Sequence, residues 1–245
     1  MPVHTLILGH SICKWLMRHI QSECDDRFKL SLGLSRISTI SFYGIGGLNV
    51  NRLLLQHMRV LDAQLPQCVV LLVGGNDVTF DCSAEEIAYR ILSFCTVLTN
   101  RHKVKQIMLC QLLPRYYKHG KTLTSQLVQN DKTYKDMYYT KAMKVNEILL
   151  SEMSGDKFFN IKFWQHCKFQ FDTVNGRDLF GPDGVHLNAK ALGCRNGHRC
   201  RPVGAMFLRK DPDVSRELRL QHHHLKQKRL RLRHHHLKQN RLSLR

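Results

Sequence analysis

The sequence predicts a three-layer, doubly wound α/β sandwich built on a five-stranded parallel sheet. Five short apolar runs rich in β-branched residues recur along the chain, and longer amphipathic stretches separate them. This alternation is typical of a parallel sheet that helices cover on both faces. With 245 residues, of which 43% are hydrophobic, the chain is long enough for one such domain and is neither wholly disordered nor collagen-like.

Each strand is predicted from one of these apolar runs, and turn residues or polar residues bound each run. The run CVVLLV at 68–73 is the most strongly apolar, so we expect it at the centre of the sheet. In chain order, the predicted strands are 3–8, 37–43, 68–73, 104–109 and 158–163.

The predicted helices lie between these strands, where apolar residues recur at near-helical spacing. They cover residues 11–20, 49–64, 84–98 and 134–153. Residues 114–131 are polar and include Lys118 and Lys121, and we expect a solvated excursion there. A mobile lid or a nucleic-acid patch is the alternative for the Lys and Tyr residues of 115–139.

Composition predicts a soluble, cytoplasmic protein with no membrane contact. No apolar run approaches the roughly 18 to 20 residues of a bilayer span, and the run at 5–8 is too short for a signal-peptide core. The nine cysteines show no framework spacing, which suits a reducing compartment. We expect free thiols, mostly buried.

The net charge of +19 is concentrated at the end of the chain. Residues 187–245 carry 16 Lys and Arg against three Asp and Glu, a balance of +13, and the rest carries +6. Within this segment LRLQHHHLKQKR recurs as LRLRHHHLKQNR. We therefore predict a domain at 1–192 and a basic, low-complexity, disordered tail at 193–245. The tail is either a nucleic-acid-binding arm or an appendage without function.

The candidate chemistry lies just beyond the predicted strands, where doubly wound sheets bind ligands. Gly-His-Ser follows the first strand, Gly-Ile-Gly-Gly the second and Gly-Gly-Asn-Asp the third. Gly-Pro-Asp-Gly-Val-His follows the fifth. Four loops thus present a hydroxyl, glycine amides, a carboxamide and a His with a nearby carboxylate, which are the parts of a serine hydrolase.

In such an enzyme Ser11 is the nucleophile and His186 the base that takes its proton. Asp183, three residues before His186, orients the imidazole. The backbone N–H groups of Ser11 and Gly47 and the side-chain amide of Asn76 form the oxyanion hole. This chemistry needs no cofactor and no metal ion. The His triplets fix no ligand geometry, and the Cys and His residues of 194–200 lack the second half of a zinc motif.

The four loops resemble the sequence blocks of the SGNH, or GDSL-like, hydrolase superfamily, and the match extends over residues 3–192. The segments LILGHS, LLVGGNDVT and GPDGVHLN are similar especially to short intracellular SGNH domains of animals, some of them carried by non-LTR retrotransposons. The resemblance implies a flavodoxin-like fold, a small ester as substrate and the residue roles given above.

Two features depart from the pattern of that superfamily. His10 stands where Gly-Asp-Ser has its Asp, and because neighbouring side chains of an extended segment leave on opposite sides, we expect His10 to point away from the Ser11 hydroxyl. It then replaces a supporting carboxylate and not the base. After His186 the closing amphipathic helix is truncated or replaced, which predicts exposed apolar sheet surface.

Each candidate residue also has a purely structural interpretation. Ser11 suits a helix N-cap, the glycines at 44–47 suit a tight turn, and Asn76-Asp77 and Asp183-Gly184 suit ordinary turns. Asp77 is predicted to be structural. The aromatic residues Trp164, Phe169 and Phe171 line either an acyl pocket or the core.

The sequence therefore favours a serine esterase that forms an acyl-enzyme on Ser11. One alternative is a non-catalytic SGNH-like module that binds nucleic acid mainly through the basic tail. The other is a decayed chain that does not fold stably. The oligomeric state is not predicted.

Overall fold

The computed structural model describes residues 2–23, 38–116, 125–154, 158–165, 169, 174–188 and 191. It contains a five-stranded sheet in which every pair of neighbouring strands is parallel. The strands are β1 (Val3–Gly9), β2 (Ser38–Gly44), β3 (Cys68–Leu72), β4 (Gln106–Cys110) and β5 (Ile161–Trp164). Their order is β2-β1-β3-β4-β5, so the predicted sheet is confirmed and the run CVVLLV occupies its centre.

Helices connect the strands as the sequence predicts. They are α1 (Ser11–Glu23), α2 (Val50–Gln56), α3 (Arg59–Gln64), α4 (Ala84–Asn100) and α5 (Ser125–Met153), and a 3₁₀ helix spans Val174–Leu179. A capping box begins α4, in which the Ser83 hydroxyl accepts the Glu86 N–H and the Glu86 carboxylate accepts the Ser83 N–H.

The prediction of one helix over 49–64 was wrong, because the chain forms two helices there, α2 and α3. Asn49 caps α2, and its side chain accepts the Arg52 N–H. The helix ends at His57, whose φ of −122° leaves the helical region. The His57 Nδ1 lies 3.0 Å from the Tyr43 hydroxyl on β2, a tertiary contact that apolar spacing cannot reveal.

The polar excursion predicted at 114–131 was also partly wrong. The helix α5 begins at Ser125, earlier than the predicted start at residue 134. Good helix formers such as Gln and Lys continue the helix beyond the apolar face from which the prediction was made. Residues 117–124 lie outside the described part of the chain.

The sheet is covered on both faces. On one face alternate strand residues such as Leu8, Leu71 and Leu109 pack against α2, α3, α4 and α5. On the other face Ile7, Val70 and Met108 pack in one cluster with residues of α1. Since successive residues of a strand point to opposite faces, two apolar faces need the continuous apolar runs seen in the sequence.

The end of the described domain packs beside α1. Leu187 and Ala191 are buried in the same cluster as the α1 residues. The apolar side chains of this sheet face, including Val70 and Met108, are buried, in contrast to the exposed apolar surface expected from a truncated closing helix. The predicted domain end at residue 192 and the tail at 193–245 lie outside the described residues.

Within the described ranges, the cysteines Cys13, Cys68, Cys82, Cys95 and Cys110 are free thiols, and all but Cys82 are buried. Burial raises the pKa of Cys13, Cys68 and Cys95 to about 12, which leaves these thiols unreactive. Among the described residues there is no group of three or more His, Cys, Asp or Glu side chains suited to a metal ion. None of the described helices is both long enough and apolar enough to span a bilayer.

Candidate active site

Ser11 is the first residue of α1 and lies just beyond the end of β1. The strands β1 and β3 approach so closely here that a Cβ atom on Gly9 would lie 2.4 Å from the Leu72 carbonyl oxygen. Only glycine fits at this point. The His10 N–H donates to the same carbonyl at 3.1 Å, so the chain leaves the sheet at a fixed position. Ser11 is partly exposed there, at the helix end whose first N–H groups lack intrahelical acceptors.

His10 caps the helix that Ser11 begins. Its carbonyl oxygen accepts the Lys14 N–H at 3.2 Å, and its Nδ1 lies 3.4 Å from the Ile12 N–H that points toward it. An N-cap Asp accepts the same kind of bond, so the imidazole takes the place of a supporting carboxylate. Burial, and then the charges of Arg115 and His186, lower the pKa of His10 to about 3. The ring is therefore neutral, and the Nδ1 contact places its proton on Nε2.

Asp183 and His186 form a close pair in the turn after the 3₁₀ helix. The His186 Nδ1 lies 2.5 Å from Asp183 Oδ2, while Asp183 Oδ1 accepts the N–H groups of Val185 and His186, both at 3.0 Å. Although burial favours the neutral acid, these bonds with His186 and Val185 hold the pKa of Asp183 below its ordinary value. The carboxylate is thus charged and fixes the Nδ1–H tautomer of the imidazole.

The same turn brings His186 to the first turn of α1. Its ring centroid lies 5.6 Å from that of Trp15. Trp15 follows Ser11 by four residues, so the two side chains share one face of the helix. The His186 Nε2 is buried and has no hydrogen-bond partner among the described residues. The structure therefore forms no hydrogen bond between the Ser11 hydroxyl and this nitrogen, the contact that the catalytic interpretation predicts.

Two of the three predicted oxyanion donors, Gly47 and Asn76, lie on neighbouring loops. Gly47 has a φ of +66°, which favours glycine, in the turn after β2. Asn76 lies in the loop after β3, and its Nδ2 donates to the Leu48 carbonyl at 3.0 Å. Nδ2 carries two hydrogens, and this bond uses one of them. The contact joins the two loops, so Asn76 is bound to the residue that follows Gly47.

Asp77 has the structural role that the sequence predicts. It is buried, and its two carboxylate oxygens lie 3.1 and 3.2 Å from the Val50 N–H at the start of α2. Burial raises the pKa of Asp77 to about 6, although the Val50 N–H and the charge of Arg90 oppose this shift. Asp77 therefore fixes the loop after β2, which carries Gly47, to the loop after β3.

Two residues of this region were not predicted. Trp15 could have been found from its helical spacing to Ser11, since residues four apart lie on one helix face. Arg115 follows β4, the one strand whose loop supplied no candidate, and its Nη2 donates to Asn76 Oδ1 at 2.8 Å. Of the aromatic residues considered for an acyl pocket, Trp164 and Phe169 belong to the core, and Phe171 lies outside the described residues.

A cavity of about 360 Å³ lies beside the turn that carries Asp183 and His186. Gly181 and Gly184 of that turn line it, together with Tyr116, Phe180 and other residues. The Tyr116 and Phe180 rings pack edge to face, with centroids 5.1 Å apart. Ser11, Asp183 and His186 are not among the residues that line it, so the cavity borders the turn and not the candidate nucleophile.

A scan of protein-family models and a search of curated proteins both find no match to the sequence. Solved structures match the fold. A provisionally assigned acylhydrolase from Bacteroides fragilis is 17% identical, with a TM-score of 0.60 over 88% of each chain. A GDSL-like lipase from Bacteroides thetaiotaomicron is 18% identical, with a TM-score of 0.53 over 76% of this chain and 80% of that one. The five-stranded parallel sheet and its helices therefore form the α/β fold of the GDSL-like lipases and acylhydrolases.

Proposed function

We propose that this protein is a cytoplasmic serine esterase of the SGNH type, which hydrolyses a small ester through an acyl-enzyme on Ser11. The observation that carries the proposal is the position of His186. Its Nδ1 is bound by the Asp183 carboxylate, and its buried Nε2 has no partner in the described part of the chain. Its ring packs on Trp15, one turn from Ser11. We also propose that the protein is related to the short intracellular SGNH domains of animals, which its sequence segments resemble.

In this mechanism His186 Nε2 takes the Ser11 hydroxyl proton as Oγ attacks the carbonyl carbon of the ester. The charge that develops on the carbonyl oxygen is stabilised by the N–H groups of Ser11 and Gly47 and the Asn76 amide. His186 then protonates the departing alcohol. In the second half, His186 takes a proton from water as the water attacks the acyl-enzyme, and it returns the proton to Ser11 Oγ as the acid is released. The negative charge of Asp183 stabilises the imidazolium in both halves of the reaction.

The test is hydrolysis of p-nitrophenyl acetate by the purified full chain. Wild-type protein should release p-nitrophenol, and Ser11→Ala should reduce the rate to that of buffer. Ser93→Ala is the matched control, because Ser93 is an exposed serine on α4. Equal rates for the wild type and Ser11→Ala would contradict the proposal.

We propose nucleic-acid binding through the basic tail as a second candidate function, which the balance of +13 over residues 187–245 favours. Phosphate contacts by Lys and Arg release counterions, so binding should weaken steeply as salt rises. Retardation of a single-stranded RNA or DNA should be lost when residues 195–245 are deleted. No retardation of either nucleic acid at low salt would exclude this candidate.

A further inference from the structure

We infer that Arg115 is a positioning residue, which holds the Asn76 carboxamide in the orientation that an oxyanion donor needs. This inference rests on the proposed esterase function, in which Asn76 is such a donor. The sequence indicated only a solvated loop, a lid or a nucleic-acid patch around Arg115. In the structure its guanidinium instead donates a hydrogen bond to the Asn76 side chain.

The first argument is the pair of hydrogen bonds on the Asn76 amide. Arg115 Nη2 donates to Oδ1 at 2.8 Å, and Nδ2 donates to the Leu48 carbonyl at 3.0 Å. If the amide rotated by 180°, its NH₂ group would face the guanidinium donors and its oxygen would face the Leu48 carbonyl. Both contacts would become repulsive, so together they select one orientation of Asn76.

The second argument is that the guanidinium is itself held in place. Its Cζ lies 4.5 Å from the centroid of the Tyr138 ring, a stacked cation–π geometry. Tyr138 is 2% exposed, and its hydroxyl donates to the Leu113 carbonyl at 3.1 Å. The Asn146 side chain binds both the N–H and the carbonyl of Leu112, at 2.8 and 3.0 Å. Two residues of α5 thus fix the segment that leads to Arg115.

The third argument is that the same segment reaches the other half of the site. The Tyr116 N–H donates to the Gly184 carbonyl at 2.6 Å, within the turn that carries Asp183 and His186. Neighbouring residues therefore contact the oxyanion side and the acid and base side of the site. Gly75 makes room for this arrangement, since a Cβ atom there would lie 3.3 Å from Arg115 Nη2 and 3.4 Å from His10 Nε2.

A charged donor on Oδ1 also polarises the amide and strengthens the N–H groups of Nδ2 as donors. Because a catalytic group gains most from being oriented before the reaction, the benefit appears in the transition state. Loss of Arg115 should therefore lower kcat and leave KM nearly unchanged.

The experiment compares full-length wild type, Arg115→Ala, Asn76→Ala and the double variant on p-nitrophenyl acetate. We expect Arg115→Ala to lower kcat by about tenfold to a hundredfold, less than the loss of the donor itself. The double variant should match Asn76→Ala, because Arg115 acts through Asn76. Arg101→Ala is the matched control, since Arg101 is exposed at the end of α4. A kcat for Arg115→Ala within twofold of wild type, or losses that multiply in the double variant, would overturn the inference.

If thermal unfolding shows that Arg115→Ala does not fold, Arg115→Lys takes its place in the comparison. An ammonium keeps the charge but lacks the planar fork that stacks on Tyr138 and donates in plane, so kcat should again fall. The NMR signals of the Asn76 NH₂ group, assigned with Asn76→Ala, give a readout independent of activity. They should shift and broaden when Arg115 is replaced. A wild type without esterase activity contradicts the proposed function, whereas unchanged Asn76 signals in the Arg115 variants contradict this inference.

Discussion

The Trp15 indole lies 5.6 Å from the His186 imidazole, centroid to centroid, with the ring planes inclined at 49°. This contact joins the first helix of the chain to a turn more than 170 residues later. Trp15 is 45% exposed, and the side of the indole that meets His186 limits where the imidazole can turn. The contact therefore relates the candidate base to the helix end that carries the candidate nucleophile.

Replacing Trp15 should impair catalysis more than stability. We expect Trp15→Ala to lower kcat for p-nitrophenyl acetate by about tenfold, because an unrestrained imidazole spends less time oriented toward Ser11. Trp15→Phe should retain most of the activity. Tyr89→Ala, which removes another exposed aromatic ring, is the control and should match the wild type. Full activity in Trp15→Ala would show that the contact does not position His186.

Asp183→Asn tests the charge behind the imidazole. The amide oxygen can still accept the N–H groups of Val185 and His186, so the turn should fold. The neutral amide neither enforces the Nδ1–H tautomer nor stabilises an imidazolium, and we expect kcat to fall by about 10³- to 10⁴-fold. The exposed carboxylate of Asp136 provides the control, Asp136→Asn, which should leave kcat unchanged. A loss below tenfold in Asp183→Asn would mean that Asp183 is not the orienting acid.

The neutral His10 cap predicts a pH dependence of stability. Since folding lowers the pKa of His10 from 6.5 to about 3, the unfolded chain binds more protons between these values. His10 should thus make the free energy of unfolding fall by about 1.4 kcal/mol per pH unit as the pH drops below 6.5. Asp77, whose pKa is raised to about 6, contributes with the opposite sign below pH 6.

The comparison of wild type with His10→Asn isolates the His10 contribution, because Asn caps helices well and does not titrate. Urea unfolding at several pH values between 4 and 7 should show a stability difference between the two proteins that changes with pH. As the pH falls, the free energy of unfolding of the wild type should decrease relative to that of the variant. Parallel pH profiles would mean that His10 is not a buried neutral cap.

The contact between the Asp77 carboxylate and the Val50 N–H predicts a second effect on stability. Asp77→Ala leaves the buried Val50 N–H without its acceptor, and an unsatisfied buried donor costs about 1 to 3 kcal/mol of the free energy of unfolding. Asp77→Asn keeps one acceptor oxygen and should cost less. Urea unfolding at pH 7 measures both variants, and equal stability of Asp77→Ala and wild type would contradict this role.

The sequence was sufficient to predict the sheet, because its strands are buried on both faces and therefore appear as unbroken apolar runs. It was not sufficient to predict the break at His57, where the side chain contacts Tyr43 on β2. The start of α5 at Ser125 was missed because the prediction rested on apolar spacing, and the sequence of 125–133 is mostly polar.

The candidate site shows the same division between local and tertiary information. The predicted site residues could be named in advance, because each follows a strand or lies in a turn that local patterns identify. They are Ser11, Gly47, Asn76, Asp183 and His186. Arg115 could not, since its role depends on side chains that meet only in the folded chain. Helical spacing places Trp15 on the Ser11 face of α1, but it does not predict the contact of Trp15 with His186. Arg115 and Asn76 lie in the loops after the neighbouring strands β4 and β3. Trp15 and His186 are in contact although they lie near opposite ends of the described sequence.

The most direct test of the central claim is labelling of the full chain with a fluorophosphonate probe, followed by peptide mapping of the modified residue. Such a probe reacts with a serine hydroxyl that a neighbouring base activates. The account predicts one phosphonylated residue, Ser11, with labelling lost in Ser11→Ala and in His186→Ala but retained in Ser93→Ala. No labelling of the folded wild type, or a label on a serine other than Ser11, would contradict it.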